Sequence, residues 1–156
     1  MNPHQEILKY EYDTCQVHAD RIEMALEEIK MILPLTPEKM NTMTTHELGI
    51  TELLTGRFAK LQDAMGEKIF PFILMNLGED IKGKSFIDRL HMLEKLGYIA
   101  HAEDWFVYRR ARNAAAHEYP DVPELMVKNL EEIIHLAGEL LAYWKFLKEK
   151  IAKLLT

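Results

Sequence analysis

The sequence predicts an all-α fold, an up-and-down bundle of four to five helices in a single domain that spans residues 1–156. Three observations support this prediction. Apolar residues recur at spacings of three and four along most of the chain, and helix-capping residues flank several of these segments. No segment alternates apolar and polar residues as a half-buried strand would. With 156 residues, the chain is long enough to bury a substantial core.

The first helix is predicted over residues 7–33, where the apolar side chains fall on one face. Pro34 ends this helix because its ring is incompatible with a helix interior. Residues 34–44 are rich in Pro, Thr and Asn, and the sequence predicts that they form a loop.

The second helix begins at a capping box, in which Thr44 is followed three residues later by Glu47. Its apolar stripe continues as far as Ile69. Pro71 then removes one backbone hydrogen bond, and we expect a kink at this position.

The third helix is short, and it follows a loop bracketed by Gly78 and Gly83. Ser85 is placed to cap its start, and Gly97 is placed to end it. A fourth helix is predicted over residues 102–118.

The fifth helix is predicted to run to the C-terminus from a second capping box. This box pairs Asp121 with Glu124. The helix completes a bundle in which each segment follows the last along the chain.

Charge and composition narrow the classes of function. A net charge of -6 argues against a protein that coats nucleic acid non-specifically. The single cysteine, Cys15, excludes an internal disulfide and favours a reducing cytosol. Residues 1–13 are polar and acidic rather than a signal segment, and the apolar run 69–75 is too short to span a bilayer. We therefore expect a soluble cytoplasmic protein with no membrane partner.

The segment 109–120 concentrates the side chains that could carry chemistry: Arg109, Arg110, Arg112, Asn113, His117 and Tyr119. A guanidinium can hold a phosphate with two hydrogen bonds, and an imidazole can transfer a proton near neutral pH. Together they indicate chemistry on a phosphodiester. His117 could act as general base and general acid in cleavage at an RNA 2′-hydroxyl, which needs no metal or other cofactor because the attacking group belongs to the substrate. A solvated basic helix end that contains a histidine by chance is the alternative.

Helical geometry separates these residues into two groups. At about 100° per residue, Phe106, Arg110, Asn113 and His117 fall on one stripe, whereas Arg112 is about 140° from His117. An ideal helix would therefore pair His117 with Arg110 and Asn113 rather than with Arg112.

Two features weaken that conclusion. Pro120 disfavours helical geometry at Tyr119, so the last turn is expected to open near His117. The long stem of Arg112 can also reach a site that a second subunit completes.

Alanines 114–116 offer a small-residue surface that a backbone or a phosphate could approach, or they simply favour helix and pack well.

The segment 112–119, Arg-Asn-Ala-Ala-Ala-His-Glu-Tyr, resembles the R-N-x-x-x-H-x-Y signature of HEPN-domain proteins. It is most similar to that of the HepT-like toxins, which are paired with minimal nucleotidyltransferase antitoxins. The resemblance extends in outline to the whole chain, since a helical domain of this size carries the motif at the end of its fourth helix and a long helix after it.

This resemblance implies a metal-independent endoribonuclease that acts as a homodimer, with Arg and His of both subunits in one cleft. Arg112 would bind the scissile phosphate, His117 would transfer protons, and Asn113 would position the site. Tyr119 matches a tyrosine that the partner nucleotidyltransferase modifies with AMP in some members. Arg109 and Arg110 lie outside the signature, and we expect them to contact the RNA backbone.

Two alternatives remain open from the sequence. Some HEPN-like proteins are described as non-catalytic substrate-binding partners of nucleotidyltransferases, and the motif does not separate them from active toxins. A metal-binding bundle is the other alternative, because Glu132 and His135 form an E-x-x-H pattern that Asp88 and His91 mimic. In both cases the histidine lies off the apolar stripe, which favours a surface histidine, and no metal is predicted.

Overall fold

The computed structural model describes residues 1–117, 119 and 121–156, and these residues form the predicted all-α bundle. The elements are α1 (Pro3–Ile29), α2 (Pro37–Thr42), α3 (Thr45–Ala64), a π-helical turn (Met65–Ile69), α4 (Phe70–Asn76), α5 (Phe86–Lys95), α6 (Asp104–Ala115) and α7 (Pro123–Leu154). None of the described residues lies in a β-strand. Within the same residues, no helix combines the length and the apolar character that crossing a membrane requires.

The core lies between α1, α3 and α7, with the segment from the π turn to α6 closing one side. Each long helix buries one apolar stripe, as the spacing of its apolar residues predicts. The largest fully buried side chains include Trp105, Trp144, Phe58 and Phe70. The free thiol of Cys15 is also buried in this core, and burial raises its pKa to about 12.

The junction between α3 and α4, where the sequence predicts a kink at Pro71, contains the π-helical turn. Proline supplies no backbone N–H, and the chain widens into a π turn just before it, where the N–H of Phe70 bonds to the carbonyl of Met65. Gly66 lies in this turn against the indole of Trp105 on α6. A Cβ atom at Gly66 would come within 3.1 Å of the indole Nε1, so this close packing of the turn on α6 depends on glycine.

The first helix and the loop after it differ from the prediction. α1 ends at Ile29 rather than at Leu33, because residues 30–32 tighten into turns in which the N–H groups of Met31 and Ile32 bond to carbonyls only three residues earlier. The predicted loop 34–44 contains the short helix α2, whose N-terminus is capped by the hydroxyl of Thr36. Pro37 at the start of this helix needs no intrahelical donor there.

The helix caps are partly as predicted. Thr44 and Glu47 form the predicted capping box, and the hydroxyl of Ser85 accepts from the N–H of Asp88. Gly97 adopts a positive φ of 82° just after α5, as expected for a helix-ending glycine.

The predicted capping box of Asp121 and Glu124 is wrong. The N-cap of α7 is Val122, which makes no side-chain capping bond. Pro123 fixes the first helical position, so Asp121 lies one residue too early to cap.

The end of the fourth helix also differs from the predicted range 102–118. α6 ends at Ala115, and His117 lies in a bend beyond it. Glu118 and Pro120 lie outside the described residues. The helical wheel therefore applies to Arg110, Arg112 and Asn113 but not to His117.

Candidate functional site

Arg112 is held by Asp63, a residue of α3. The guanidinium donates from Nε to Oδ1 at 3.2 Å and from Nη2 to Oδ2 at 2.9 Å, which is the two-pronged geometry of an arginine–carboxylate pair. Both side chains are about one-third exposed. Solvent screens such a pair, so its main effect is to fix the direction of the guanidinium rather than to stabilise the fold.

A buried amide continues this contact into the core. Gln62 is 4% exposed, and one orientation of its amide group satisfies both of its neighbours. In this orientation the amide nitrogen donates to Oδ1 of Asp63 at 2.9 Å, and the amide oxygen accepts from Nε1 of Trp105 at 3.3 Å. The four residues form a chain of hydrogen bonds from the indole of Trp105 to the guanidinium of Arg112. The position of Arg112 is therefore set by the packing of α6 against α3.

The surroundings of Arg112 favour its charged form. The hydrogen bond that Arg112 donates to Asp63 raises the pKa of Arg112, and the negative charges of Asp63 and Glu67 act in the same direction. Arg112 is thus a permanent cation with a defined orientation. Of its five N–H groups, the pair with Asp63 uses two, which leaves the remaining donors for an anion.

His117 is exposed, two residues beyond the end of α6. It lines a cleft of about 170 Å³, here called the His117 cleft, between α2, the first half of α3 and α7. Thr51, Thr55 and Asn129 supply polar groups to this cleft, and Met40 and Met126 are among its apolar residues. An imidazole at the rim of such a cleft is accessible to a ligand from solvent.

Asn113 and Tyr119 flank His117 in the sequence but differ in exposure. Asn113 is exposed on the last turn of α6, and no described residue bonds its side chain. Tyr119 is half-buried, and its ring centre lies 6.5 Å from that of His117. A group added to the Tyr119 phenol would therefore lie close to the imidazole.

Arg109 and Arg110 are both exposed on α6. The guanidinium of Arg109 stands over the ring of Phe86 at 5.7 Å, at the mouth of a second cleft. This cleft, here called the Trp105 cleft, has a volume of about 350 Å³ and includes Asp63 among its lining residues. Arg109 is thus one helical turn before Arg112 along the same rim.

One chain does not bring all the predicted site residues together. Arg112 points to Asp63 at the Trp105 cleft, whereas His117 lines the His117 cleft, and no hydrogen bond or ion pair joins the two among the described residues. The arrangement offers an oriented cation and an accessible imidazole at separate places. Arg112 and His117 could act together on one phosphodiester only if the substrate reaches both places, or if it is held between two chains that each supply one of the groups.

The contacts of Asp63 and Gln62 with the Arg112 site do not follow from the apolar stripe that predicts the second helix. A signal was present, since Gln62 lies four residues after Phe58 and three before Met65, on that buried stripe. A polar residue at such a position needs a partner. Nothing in the sequence identifies Arg112 and Trp105 as the partners of this pair.

The two histidines considered for a metal site lie at the surface. The side chain of His135 is 75% exposed and stands 3.8 Å from Glu139, and His91 is exposed on α5. In the part of the chain that the structure describes, no three His, Cys, Asp or Glu side chains converge as metal ligands. Comparison with protein-family models, with curated proteins and with solved structures gives no match to this chain.

Proposed function

We propose that the protein is a metal-independent endoribonuclease of the HEPN type, the toxin of a pair whose antitoxin is a minimal nucleotidyltransferase. The observation that carries this proposal is the oriented guanidinium of Arg112 five residues before the exposed imidazole of His117. These are the two groups that cleavage of RNA at its own 2′-hydroxyl requires. Such an enzyme would work in the cytoplasm on cellular RNA.

In the proposed reaction, His117 accepts the proton of the 2′-hydroxyl, and the 2′-oxygen attacks the neighbouring phosphorus. The bond from phosphorus to the 5′-oxygen breaks, and that oxygen takes a proton from a second imidazole. The products are a 2′,3′-cyclic phosphate and a 5′-hydroxyl. Arg112 stabilises the negative charge that develops on the phosphoryl oxygens, using N–H groups that Asp63 leaves free.

The proposed active form is a homodimer in which both chains contribute to one cleft. The separation of Arg112 and His117 on one chain supports this form, because a cleft between chains does not require them to share a face of one helix. It also supplies the second imidazole that the leaving group needs. Asn113, exposed beside Arg112, would position the phosphate, and Arg109 and Arg110 would contact the RNA backbone.

Tyr119 is the proposed site of control by the antitoxin. Transfer of AMP to its phenol would place a bulky anion beside the imidazole of His117, given the 6.5 Å between the two rings. That anion would exclude an RNA phosphate by occupancy and by charge.

A second candidate function is that of a non-catalytic helical partner of a nucleotidyltransferase. The specific observation in its favour is that Asp63 already occupies two N–H groups of Arg112 and lowers the net positive charge that an RNA phosphate would meet. In that case Tyr119 or the bundle surface would be presented to the partner enzyme without RNA cleavage.

RNA cleavage in the presence of EDTA tests the first proposal. The unmodified protein should cleave a labelled RNA and leave a 2′,3′-cyclic phosphate, and His117→Ala or Arg112→Ala should lower the rate by at least about a hundredfold. Arg21→Ala is the matched control, since it removes an exposed arginine from α1.

Cleavage that survives both site substitutions would contradict the assignment of these residues. AMP transfer to Tyr119 by a neighbouring nucleotidyltransferase, with no RNA cleavage by the unmodified protein, would favour the non-catalytic partner.

A further inference from the structure

The Trp105 cleft is the feature that the proposed reaction leaves unused. It is formed where the end of α3, the π turn, α4, α5 and α6 meet, and its volume of about 350 Å³ lies in the range of small-molecule sites. Gly66 and the buried indole of Trp105, which pack closely against each other, are among the residues that line it. The cleft is therefore made by rigid elements of the bundle rather than by a loop.

The cleft is lined by charges that do not pair with one another. Arg89 donates from Nη2 to the carbonyl of Ile81 at 3.4 Å, and its buried Nε–H has no acceptor among the described residues. The guanidinium of Arg109 lies over the ring of Phe86 at 5.7 Å and forms no ion pair with a described residue. Glu67 is exposed and forms no ion pair with a described residue. Two guanidinium groups and one carboxylate thus face the same space without an ion-pair partner among the described residues, which favours a ligand that carries both acceptors and donors.

Guanine has this combination of groups. Its O6 and N7 accept from an arginine, and its N1–H and N2–H₂ donate in parallel to the two oxygens of a carboxylate. The guanidinium of Arg109 lies over the ring of Phe86 at 5.7 Å, and its other side offers a flat group on which a base of single-stranded RNA can stack. Uracil has one ring N–H and no exocyclic amine, so it matches this set poorly.

We infer that the Trp105 cleft binds a guanine base of single-stranded RNA, with Glu67 and Arg89 contacting its edges and the guanidinium of Arg109, backed by Phe86, stacking on its face. In this refinement of the proposed function, Arg109 contacts the base rather than the RNA backbone, which is left to Arg110. Arg112, one turn beyond Arg109, then meets a phosphate next to that guanosine. This inference rests on the proposed function, because it treats the cleft as the base-selecting part of the same RNA site.

Binding of short RNA to the full-length protein tests the inference. The probes are uridine oligonucleotides with a single central guanosine, adenosine or uridine, with 2′-O-methyl sugars that prevent cleavage. The guanosine oligonucleotide should bind about tenfold more tightly than the uridine one. Glu67→Gln and Arg89→Met should each remove most of this preference. The controls Glu28→Gln and Arg21→Met remove one negative and one positive charge from exposed positions of α1, away from the cleft. Both controls should keep the preference for the guanosine oligonucleotide.

Equal affinity for the guanosine and uridine oligonucleotides in the unmodified protein would overturn the inference. A preference for the guanosine oligonucleotide that persists in Glu67→Gln would show that the Glu67 carboxylate does not bind the base, and it would overturn the inference in this form. Guanosine monophosphate binding as tightly as the oligonucleotide would assign the cleft to the free nucleotide instead of RNA.

Cleavage assays separate failure of the inference from failure of the proposed function. Cleavage that depends on Arg112 and His117 but shows no guanosine preference would leave the ribonuclease proposal standing without the base site. Guanosine-dependent binding without any cleavage would leave the base site standing without the ribonuclease.

Discussion

Asp63 changes how Arg112 should be understood. The resemblance to the signature implies that Arg112 binds a phosphate, whereas in the folded chain its guanidinium already donates two hydrogen bonds to Asp63 of α3. A free arginine side chain would lose much conformational entropy on binding a phosphate, whereas one held in place loses less. Asp63 therefore orients the arginine and also competes with the ligand for two of its donors.

Glycine at position 66 is the other residue whose role depends on its surroundings. Gly66→Ala should lower the free energy of unfolding by about 1 kcal/mol or more, because the new methyl would meet the Trp105 indole at 3.1 Å and that indole is 1% exposed and hydrogen-bonded. Gly56→Ala is the matched control on α3, where nothing lies within 4 Å of a Cβ atom. That change should stabilise the protein by about 0.5–1 kcal/mol. Urea unfolding of both variants measures the contrast, and equal effects would contradict it.

At the scale of the elements, the contact between α1 and α3 contains a group that is sensitive to pH. Nδ1 of His18 lies 3.0 Å from Nη1 of Arg57, so the imidazole nitrogen must accept and be unprotonated. Burial lowers the pKa of His18, and the charges of Arg57 and Lys60 lower it further. The unfolded chain therefore binds a proton at His18 more readily than the folded chain does.

The sign of the effect on stability follows from this difference in proton binding. The contribution of neutral His18 is complete above its unfolded pKa, about 6.5, and it is lost as the pH falls through its lower folded pKa. His18→Gln removes the titration, so the stability of the unmodified protein relative to this variant should decrease between pH 7.5 and pH 5. Thermal unfolding of both proteins across this range measures the difference, and a constant gap would show that His18 does not titrate differently on folding.

At the scale of the whole molecule, the proposed reaction needs two chains. Sedimentation velocity should show a dimer, and the specific rate of RNA cleavage should fall when dilution dissociates it. The reason is that within one chain Arg112 pairs with Asp63, which lines the Trp105 cleft, whereas His117 lines the His117 cleft. A stable monomer that still cleaves RNA would contradict the shared cleft, whichever residues prove to be catalytic.

Much of the fold could be predicted from local patterns. Apolar spacing located the long helices, and Thr44, Ser85 and Gly97 marked their ends correctly, because capping depends on a few neighbouring residues. The errors arose where two local signals compete. Pro123 displaced the capping box expected at Asp121, and the capping hydroxyl of Thr36 allowed a short helix within a segment that resembled a loop.

Residue type and spacing along the chain are enough to predict the helical class and to select the side chains proposed for phosphodiester chemistry. The places that these side chains occupy depend on tertiary packing. The packing joined Arg112 to Asp63 across 49 positions, ended α6 before His117, and placed residues of five elements around the Trp105 cleft. Such contacts arise from the packing of one helix face on another, and the spacing of residues within a helix does not specify which face of a distant helix it will meet.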